Sequence, residues 1–195
     1  MYTVVIARYN ENLHWADFIE NKVIYNKGEP IPDTIQLKNI GREGETFLYH
    51  IVHNYHNLPD YLVLLQGNPF QHTFKHVNYL NLNLIKNLRP KTIEPFFTDY
   101  HTEPLDVYKC LKTNEFLEFL NLQPEKERVF APGCQYIIPK ENILKRPLEF
   151  YKKIHSMLLN NTIITNEEAH YSDYPVNETT LNPWTFERIF KYLFS

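Results

Sequence analysis

The chain has 195 residues and a formal net charge of −3, with 43% hydrophobic and 22% charged residues. This length suits one domain with a substantial core, and the composition is typical of neither a disordered protein nor a membrane protein. The pI is about 6.3, whereas a general nucleic-acid binder is usually strongly basic, so we expect no nucleic-acid partner.

The first residues of the chain and its cysteines indicate the cellular compartment of the protein. An apolar strand is predicted almost at once, over residues 3–7, so we expect no signal peptide. No apolar run reaches the roughly 20 residues that a membrane-spanning helix needs. Only two cysteines occur, Cys110 and Cys134, which favours a reducing compartment over a disulfide framework. The sequence therefore predicts a cytoplasmic, soluble protein.

The first third of the chain alternates between strand and helix signals. Four short apolar runs are predicted strands: 3–7, 22–25, 35–37 and 61–65. Helices are predicted over 12–20 and 43–57, and Pro59 ends the second. The run at 61–65 is apolar throughout, as in a central strand covered by helices on both faces. This alternation predicts an α/β fold with a mostly parallel sheet.

The rest of the chain has weaker signals. Helices are predicted over 74–88, 113–121 and 147–159, with a shorter helical turn at 140–143. A last strand is predicted at 135–138, and residues 93–106 are expected to form loop or edge structure. Asn182 and Pro183 favour the start of a last helix, since Asn is a preferred N-cap and Pro a preferred first residue. No repeat or linker divides the chain, so one domain is expected over 1–195.

The carboxyl ends of two predicted strands are polar. The run at 61–65 continues directly into Gln66, Gly67 and Asn68, and the first strand continues into Arg8-Tyr9-Asn10-Glu11. In an open α/β sheet, ligands bind in a crevice outside the carboxyl ends of the strands. We therefore expect a binding site here.

Two families share sequence features with this chain. V-V-I-A-R-Y-N-E and N-I-G-R-E-G resemble the opening strand and the N-x-G segment of GT-A glycosyltransferases of the family 2 type. A closer resemblance is to domain-of-unknown-function family 3431, carried by R-Y-N-E, N-I-G-R-E-G-E-T-F-L-Y-H-I and P-G-C-Q-Y-I-I-P-K-E-N-I-L-K-R-P-L-E-F-Y. This resemblance spans roughly residues 3–76 and 130–194.

The resemblance implies a fold and an activity. The fold would be a single GT-A-like (nucleotide-diphospho-sugar transferase) α/β domain, with a mostly parallel central sheet flanked by helices. The activity would be transfer of a sugar, a hexose or deoxyhexose, from a nucleotide-sugar donor to a glycan or other hydroxyl acceptor, as in polysaccharide biosynthesis. The family 2 likeness further implies inversion at the transferred sugar carbon.

One departure concerns the metal. GT-A enzymes usually hold a divalent ion with Asp-x-Asp, but Gln66-Gly67-Asn68 stands there without a carboxylate. Amides can bind ribose hydroxyls or a diphosphate, so we expect weak or absent metal dependence. Manganese or magnesium stays open as a cofactor. Arg8, Lys27 and Arg42 are the candidate cations for the diphosphate, although Arg42 could equally be an ordinary arginine at a helix start.

Six more residues are candidates for the site. Asn10 and Glu11 would contact the base or ribose, with helix capping as the alternative for Asn10. His72, just past the crevice strand, would contact phosphate or acceptor. Glu187 is our choice for the base that deprotonates the acceptor, against the alternative of a solvated helix glutamate. Asp99, in an irregular segment, is its rival, together with Glu103.

Two other functions remain open. The missing Asp-x-Asp favours a non-catalytic module that binds nucleotide-sugar or glycan on the same fold. Histidines favour a metal-dependent hydrolase: His50, His53 and His56 are three residues apart, and His72 and His76 are four apart. The HExxH zinc signature is absent, so we predict no metal ligands.

Overall fold

A computed structural model describes residues 1–73, 89–123, 126–160 and 177–195. The strands are β1 (Tyr2–Arg8), β2 (Lys22–Asn26), β3 (Ile35–Gln36), β4 (Tyr61–Gln66), β5 (Glu94–Pro95), β6 (His101–Pro104), β7 (Glu127–Phe130) and β8 (Tyr136–Pro139). The α-helices are α1 (Arg42–Asn54), α2 (Thr113–Phe119), α3 (Lys140–Leu144), α4 (Leu148–Leu159) and α5 (Pro183–Ile189).

Six strands form a central sheet in the order β3-β2-β1-β4-β8-β5. The first four are parallel to one another, and β8 is antiparallel to both β4 and β5. Strands β6 and β7 form a separate antiparallel pair. The predicted α/β class with a mostly parallel sheet is therefore confirmed.

Strand β4 lies inside the sheet because both of its faces are apolar. Leu62 and Leu64 pack into the larger core cluster, which α1, α4 and α5 also enter. Val63 and Leu65 point the other way, into a second cluster of buried side chains. Among the described residues, this cluster also contains Ala16, Ile19 and Phe96, and none of its members lies in an α-helix. Because side chains alternate along a strand, an unbroken apolar run can fill two cores at once.

The sequence correctly predicts the buried face of helix α1 and the first residues of helix α5. The predicted buried face of α1 is confirmed by Phe47, Leu48 and Ile51, whose side chains are fully buried. Asn182 caps α5 as predicted: its Oδ1 accepts a hydrogen bond of 2.8 Å from the backbone N–H of Trp184. Helix α5 therefore starts where the sequence places it.

The predicted helix over 12–20 is wrong. This segment contains only a short 3-10 turn, His14–Ala16. Asn12 Oδ1 accepts a hydrogen bond of 2.8 Å from the backbone N–H of His14, which is a local alternative to helical bonding. The second helix also ends earlier than predicted, because its last turn, Tyr55–Asn57, is a 3-10 turn. The helix predicted over 74–88 lies outside the described residues.

Both cysteines are free, with Cys110 exposed and Cys134 buried. Burial raises the pKa of the Cys134 thiol well above its usual value, so this thiol stays protonated and unreactive. No α-helix in the described ranges is long and apolar enough to cross a membrane.

Candidate functional site

A crevice opens at the carboxyl ends of β1 and β4. From β1 the chain continues to β2 on one side, and α1 later returns it to β4 on the other side. Such a switch in direction separates the loops that follow the two strands and leaves room for a ligand. The space is about 410 Å³. We call it the switch-point crevice; its lining residues are Ala7, Arg8, Tyr9, Glu11, Lys27, Asn39, Arg42, Glu43, Thr46, Gln66, Asn68 and Gln71.

A second crevice, of about 640 Å³, adjoins the first. Three residues line both spaces: Arg42, Gln66 and Gln71. The remaining walls of the second crevice come from the segment after β4, from β6 and β7 with the turns that follow them, and from α5: His72, Thr73, His101, Glu103, Tyr108, Phe130, Pro132, Trp184, Glu187 and Arg188. Two ligands bound side by side would therefore meet at Arg42 and Gln66.

Arg42 stands at this junction on an unusual backbone. Gly41 and Arg42 both have positive φ, 66° and 53°, and a non-glycine residue in this region costs about 1–3 kcal/mol. The Arg42 guanidinium lies 4.9 Å from the centre of the Trp184 ring, and Arg42 Nε lies 3.5 Å from Glu43 Oε2. The side chain is 41% exposed, so a ligand can reach it from either crevice.

Lys27 lies in the crevice wall, but its ammonium group contacts protein atoms. Its Nζ donates to the backbone oxygens of Ile40 and Arg42, each at 2.6 Å. It also lies 2.6 Å from Glu45 Oε2, in a buried ion pair that His155 Nε2 extends at 2.7 Å from Glu45 Oε1. Lys27 therefore fixes the strained turn that presents Arg42.

Arg8 and Asn10 mainly hold the loops around the crevice. Arg8 is buried and donates from Nη1 to Asn26 Oδ1 at 2.7 Å and to the Glu29 oxygen at 3.1 Å. Its Nε donates to the backbone oxygen of Glu11 at 3.0 Å. Asn10 Oδ1 accepts from the Glu29 N–H at 2.9 Å and caps no helix. Of these predicted ligand residues, Arg8 and Glu11 line the crevice directly.

The end of β4 and helix α1 each contribute one buried oxygen without a partner. Among the described residues, Gln66 Oε1 and Thr46 Oγ1 are buried and have no hydrogen-bond partner. Each such group costs about 1–3 kcal/mol until a donor satisfies it. Both residues line the switch-point crevice, so a ligand with hydroxyl or N–H donors would relieve this cost. Asn68 lines the same wall, is exposed, and accepts a weak bond from Phe70 N–H at 3.3 Å.

Glu187 lines the second crevice and is not a solvated glutamate. Its side chain is only 17% exposed, and its Oε1 accepts a hydrogen bond of 2.6 Å from the Gly133 backbone N–H. Burial, and then the nearby carboxylate of Glu43, raise the pKa of Glu187 to about 6. At neutral pH the group is therefore mostly ionised, yet more basic than an ordinary carboxylate.

Glu43, like Thr46, lines the crevice although its sequence pattern did not predict a role for it. It lines the switch-point crevice with a side chain that is 12% exposed, and it lies beside Arg42. An acidic residue in the first turn of a helix is ordinary, because it complements the helix dipole. No sequence signal therefore distinguishes Glu43 from a structural glutamate.

The rivals to Glu187 lie in different surroundings. Asp99 is exposed and lines neither crevice. Glu103 lines the second crevice, but Arg188 donates to its two oxygens at 2.8 and 3.0 Å and Arg128 donates at 3.1 Å. This buried arginine pair holds Glu103 in place as a structural anion.

The histidines have separate environments. His72 lines the second crevice, where burial and the charge of Arg42 lower its pKa and keep the imidazole neutral. His50 is buried, with Nδ1 2.9 Å from the Tyr25 hydroxyl. His53 and His56 are exposed and line neither crevice, and His76 lies outside the described residues. No group of three or more His, Cys, Asp or Glu in the described part of the chain is arranged to hold a metal ion.

A family model described as a protein of unknown function (DUF3431) matches residues 4–103, which is just over half of the chain. The chain belongs to this family. No curated protein and no solved structure matches it. The matched region contains Arg42, Glu43 and Gln66, whereas Glu187 lies beyond it.

Proposed function

We propose that this DUF3431 protein is a glycosyltransferase with a GT-A-like domain, which transfers a sugar from a nucleotide-sugar donor to a hydroxyl of a glycan or another acceptor. One observation carries the proposal: two crevices meet at Arg42 and Gln66, and a carboxylate with a raised pKa lines the second. Group transfer between two substrates needs two adjoining sites and a base on the acceptor side.

In this proposal the donor occupies the switch-point crevice. Arg42 would bind the diphosphate, because a guanidinium pairs with phosphate oxygens in a fixed two-pronged geometry. Lys27 would act indirectly, by holding the turn that carries Arg42. Gln66 Oε1 and Thr46 Oγ1, the acceptors without partners, would bind hydroxyl or N–H groups of the donor.

The acceptor would enter the second crevice, where Glu187 takes the proton from its hydroxyl group. The oxygen of that hydroxyl, as it loses its proton to Glu187, forms the new bond to the sugar carbon, and the bond from that carbon to the diphosphate oxygen breaks. Its electron pair leaves with the nucleoside diphosphate, whose growing charge lies beside Arg42. Attack from the side opposite the leaving group inverts the configuration of that carbon.

A second candidate is a non-catalytic module that binds nucleotide-sugar or glycan. The observation in its favour is that Arg8 and Lys27, two of the three predicted phosphate cations, are engaged with protein atoms. Arg42 then provides the remaining predicted cation at a site without Asp-x-Asp. Such a protein would bind the donor but release no nucleoside diphosphate.

The experiment is a thermal-shift panel of nucleoside diphosphates and nucleotide-sugars, each with and without manganese. A ligand at a few hundred times its dissociation constant should stabilise the protein by about 3 kcal/mol. We expect Arg42→Ala to lose this shift, while Lys38→Ala, an exposed cation outside both crevices, keeps it. Absence of a shift with every nucleotide would refute the proposal.

Turnover then separates the two candidates. Release of nucleoside diphosphate should fall about 100- to 10,000-fold in Glu187→Gln, while its donor-induced shift remains. In the native protein, the rate should decrease as the pH falls through about 6, because protonated Glu187 cannot accept the acceptor proton. Donor binding without turnover, for every acceptor tested, would favour the binding module.

A further inference from the structure

A third pocket, of about 480 Å³, shares no lining residue with the two crevices. It lies between the end of α3, the 3-10 turn Phe190–Phe194 and the segments around residues 92–100 and 121–123. We call it the basic pocket and define it by Tyr100, Asn142, Lys145, Arg146, Lys191 and Tyr192.

The charged side chains that line this pocket are all cationic, although Glu94, outside the lining, is near enough to raise the pKa of Tyr100 after the larger effect of burial. Lys145, Arg146 and Lys191 line it, and none of the described lining residues is Asp or Glu. Neither Lys145 nor Arg146 forms an ion pair with a carboxylate in the described ranges. Three cations around one concave space create a positive potential that attracts anions.

The segments that carry these cations are fixed to each other. The Tyr55 hydroxyl donates to the backbone oxygen of Arg146 at 2.5 Å, and Asn142 Nδ2 donates to the backbone oxygen of Phe194 at 2.8 Å. The second bond joins α3 to the turn that contains Lys191. A pocket held in this way loses little conformational entropy when it binds a ligand.

Arg146 is also incompletely satisfied. Its Nε is buried and has no hydrogen-bond partner among the described residues, and its Cζ lies 5.5 Å from the centre of the Phe150 ring. A buried charged donor without an acceptor is costly. An anion in the pocket would offer oxygen acceptors to this guanidinium.

Two aromatic rings stand beside the cations. Lys191 Nζ lies 5.0 Å from the centre of the Tyr100 ring and 4.7 Å from that of Tyr192. The volume exceeds what a phosphate ion fills and falls in the range of small-molecule sites. The neighbourhood thus suits a ligand with an anionic group and an organic part that contacts the rings.

We propose that the basic pocket binds a phosphorylated small molecule. Its phosphate oxygens pair with Lys145, Arg146 and Lys191, and its organic part lies against Tyr100 and Tyr192. Phosphate is favoured because it presents several oxygens and up to two negative charges to the three cations. This site is independent of the proposed transferase site and stands whether or not that function holds.

Calorimetry with phenyl phosphate tests this site at fixed ionic strength. An Arg42→Ala background excludes phosphate binding at the crevice junction. In that background we expect phenyl phosphate to bind, inorganic phosphate to bind more weakly, and phenol not to bind. Adding Lys145→Gln or Arg146→Gln should weaken phenyl phosphate binding about tenfold, the loss of one charge-assisted hydrogen bond.

Lys145→Gln is the decisive variant, because Lys145 is exposed and its replacement should leave the fold intact. Lys38→Gln, at an exposed site outside the pocket, is its charge-matched control and should leave affinity unchanged. The proposal is overturned if phenyl phosphate fails to bind, or if Lys145→Gln and Arg146→Gln bind it as tightly as the Arg42→Ala parent does.

Discussion

The buried Lys27–Glu45 pair gives the sharpest test of how the candidate site is built. The two side chains are 5% and 4% exposed, and their charged atoms are 2.6 Å apart. Lys27→Met would leave the buried Glu45 carboxylate with His155 as its remaining partner, and breaking a buried ion pair in this way costs about 3–5 kcal/mol. It would also remove the donor to the backbone oxygens of Ile40 and Arg42.

A double-mutant cycle separates these two losses. Lys27→Met combined with Glu45→Met removes both charges, and a buried ion pair replaced in this way is often neutral for stability. The two backbone oxygens would still lack a donor and His155 Nε2 would lose its Glu45 acceptor, at about 1–3 kcal/mol for each unsatisfied group. We therefore expect the double variant to recover only part of the stability that Lys27→Met loses.

Urea unfolding, followed by circular dichroism and tryptophan fluorescence, measures each corner of the cycle. For a chain of this length, the 3–5 kcal/mol lost with the ion pair alone corresponds to a fall in melting temperature of roughly 6–20 °C. Lys152→Met is the matched control, because the Lys152–Glu149 pair has nearly the same separation, 2.7 Å, but is exposed. That control should change stability by less than about 1 kcal/mol.

Two results would refute this reasoning. A loss of less than about 1 kcal/mol in Lys27→Met would mean that the pair is no more valuable than a surface pair. A double variant as stable as the native protein would mean that the bonds to Ile40 and Arg42 contribute nothing. The turn that presents Arg42 would then have another cause.

The remaining predictions concern stability. Burial and the nearby His53 lower the pKa of His50 to about 4, so below the unfolded value of 6.5 only the unfolded chain takes up this proton. Stability should therefore fall between about pH 6.5 and 4, and His50→Asn should remove roughly 3 kcal/mol of that dependence, measured by urea unfolding across the range. Gly44→Ala would place a Cβ 2.5 Å from Phe186 Cδ1, and we expect a loss of about 1–3 kcal/mol in the same assay. An unchanged midpoint would show that the ring can move aside.

The sequence correctly predicts those strands and helix starts that depend only on residues close together in the chain. An apolar run without polar interruption predicts a strand with two buried faces, and β4 is such a strand. Asn182 and Pro183 predict a helix start because their side chains act within one turn. The segment 12–20 has apolar residues at weak helical spacing, but Asn12 offers the backbone another hydrogen bond. The spacing of apolar residues does not show that a side chain can compete with the helix for these backbone hydrogen bonds.

The sequence predicts where the candidate site lies, but it does not predict the role of each side chain in it. The polar end of β4 and the polar end of β1 do meet at a crevice, because parallel neighbours end at one edge. The sequence also identifies Arg42 and Glu187 as candidates. It cannot show that the backbone oxygens of Ile40 and Arg42 surround Lys27, since that contact depends on the path of the whole loop. It likewise cannot separate Glu43 from the many helix-start glutamates that only complement a dipole.

The position of β4 in the sheet sets an order of events during synthesis. Its parallel partner β1 precedes it, but its antiparallel partner β8 follows late, with Tyr61 paired to Pro139. At about 5–20 residues per second, the ribosome needs roughly 3–14 s to make the intervening segment of about 70 residues. During that interval the most apolar strand of the nascent chain has one edge of unpaired N–H and C=O groups, which is a template for wrong pairing. The yield of folded protein therefore depends on what covers this edge before β8 leaves the ribosome.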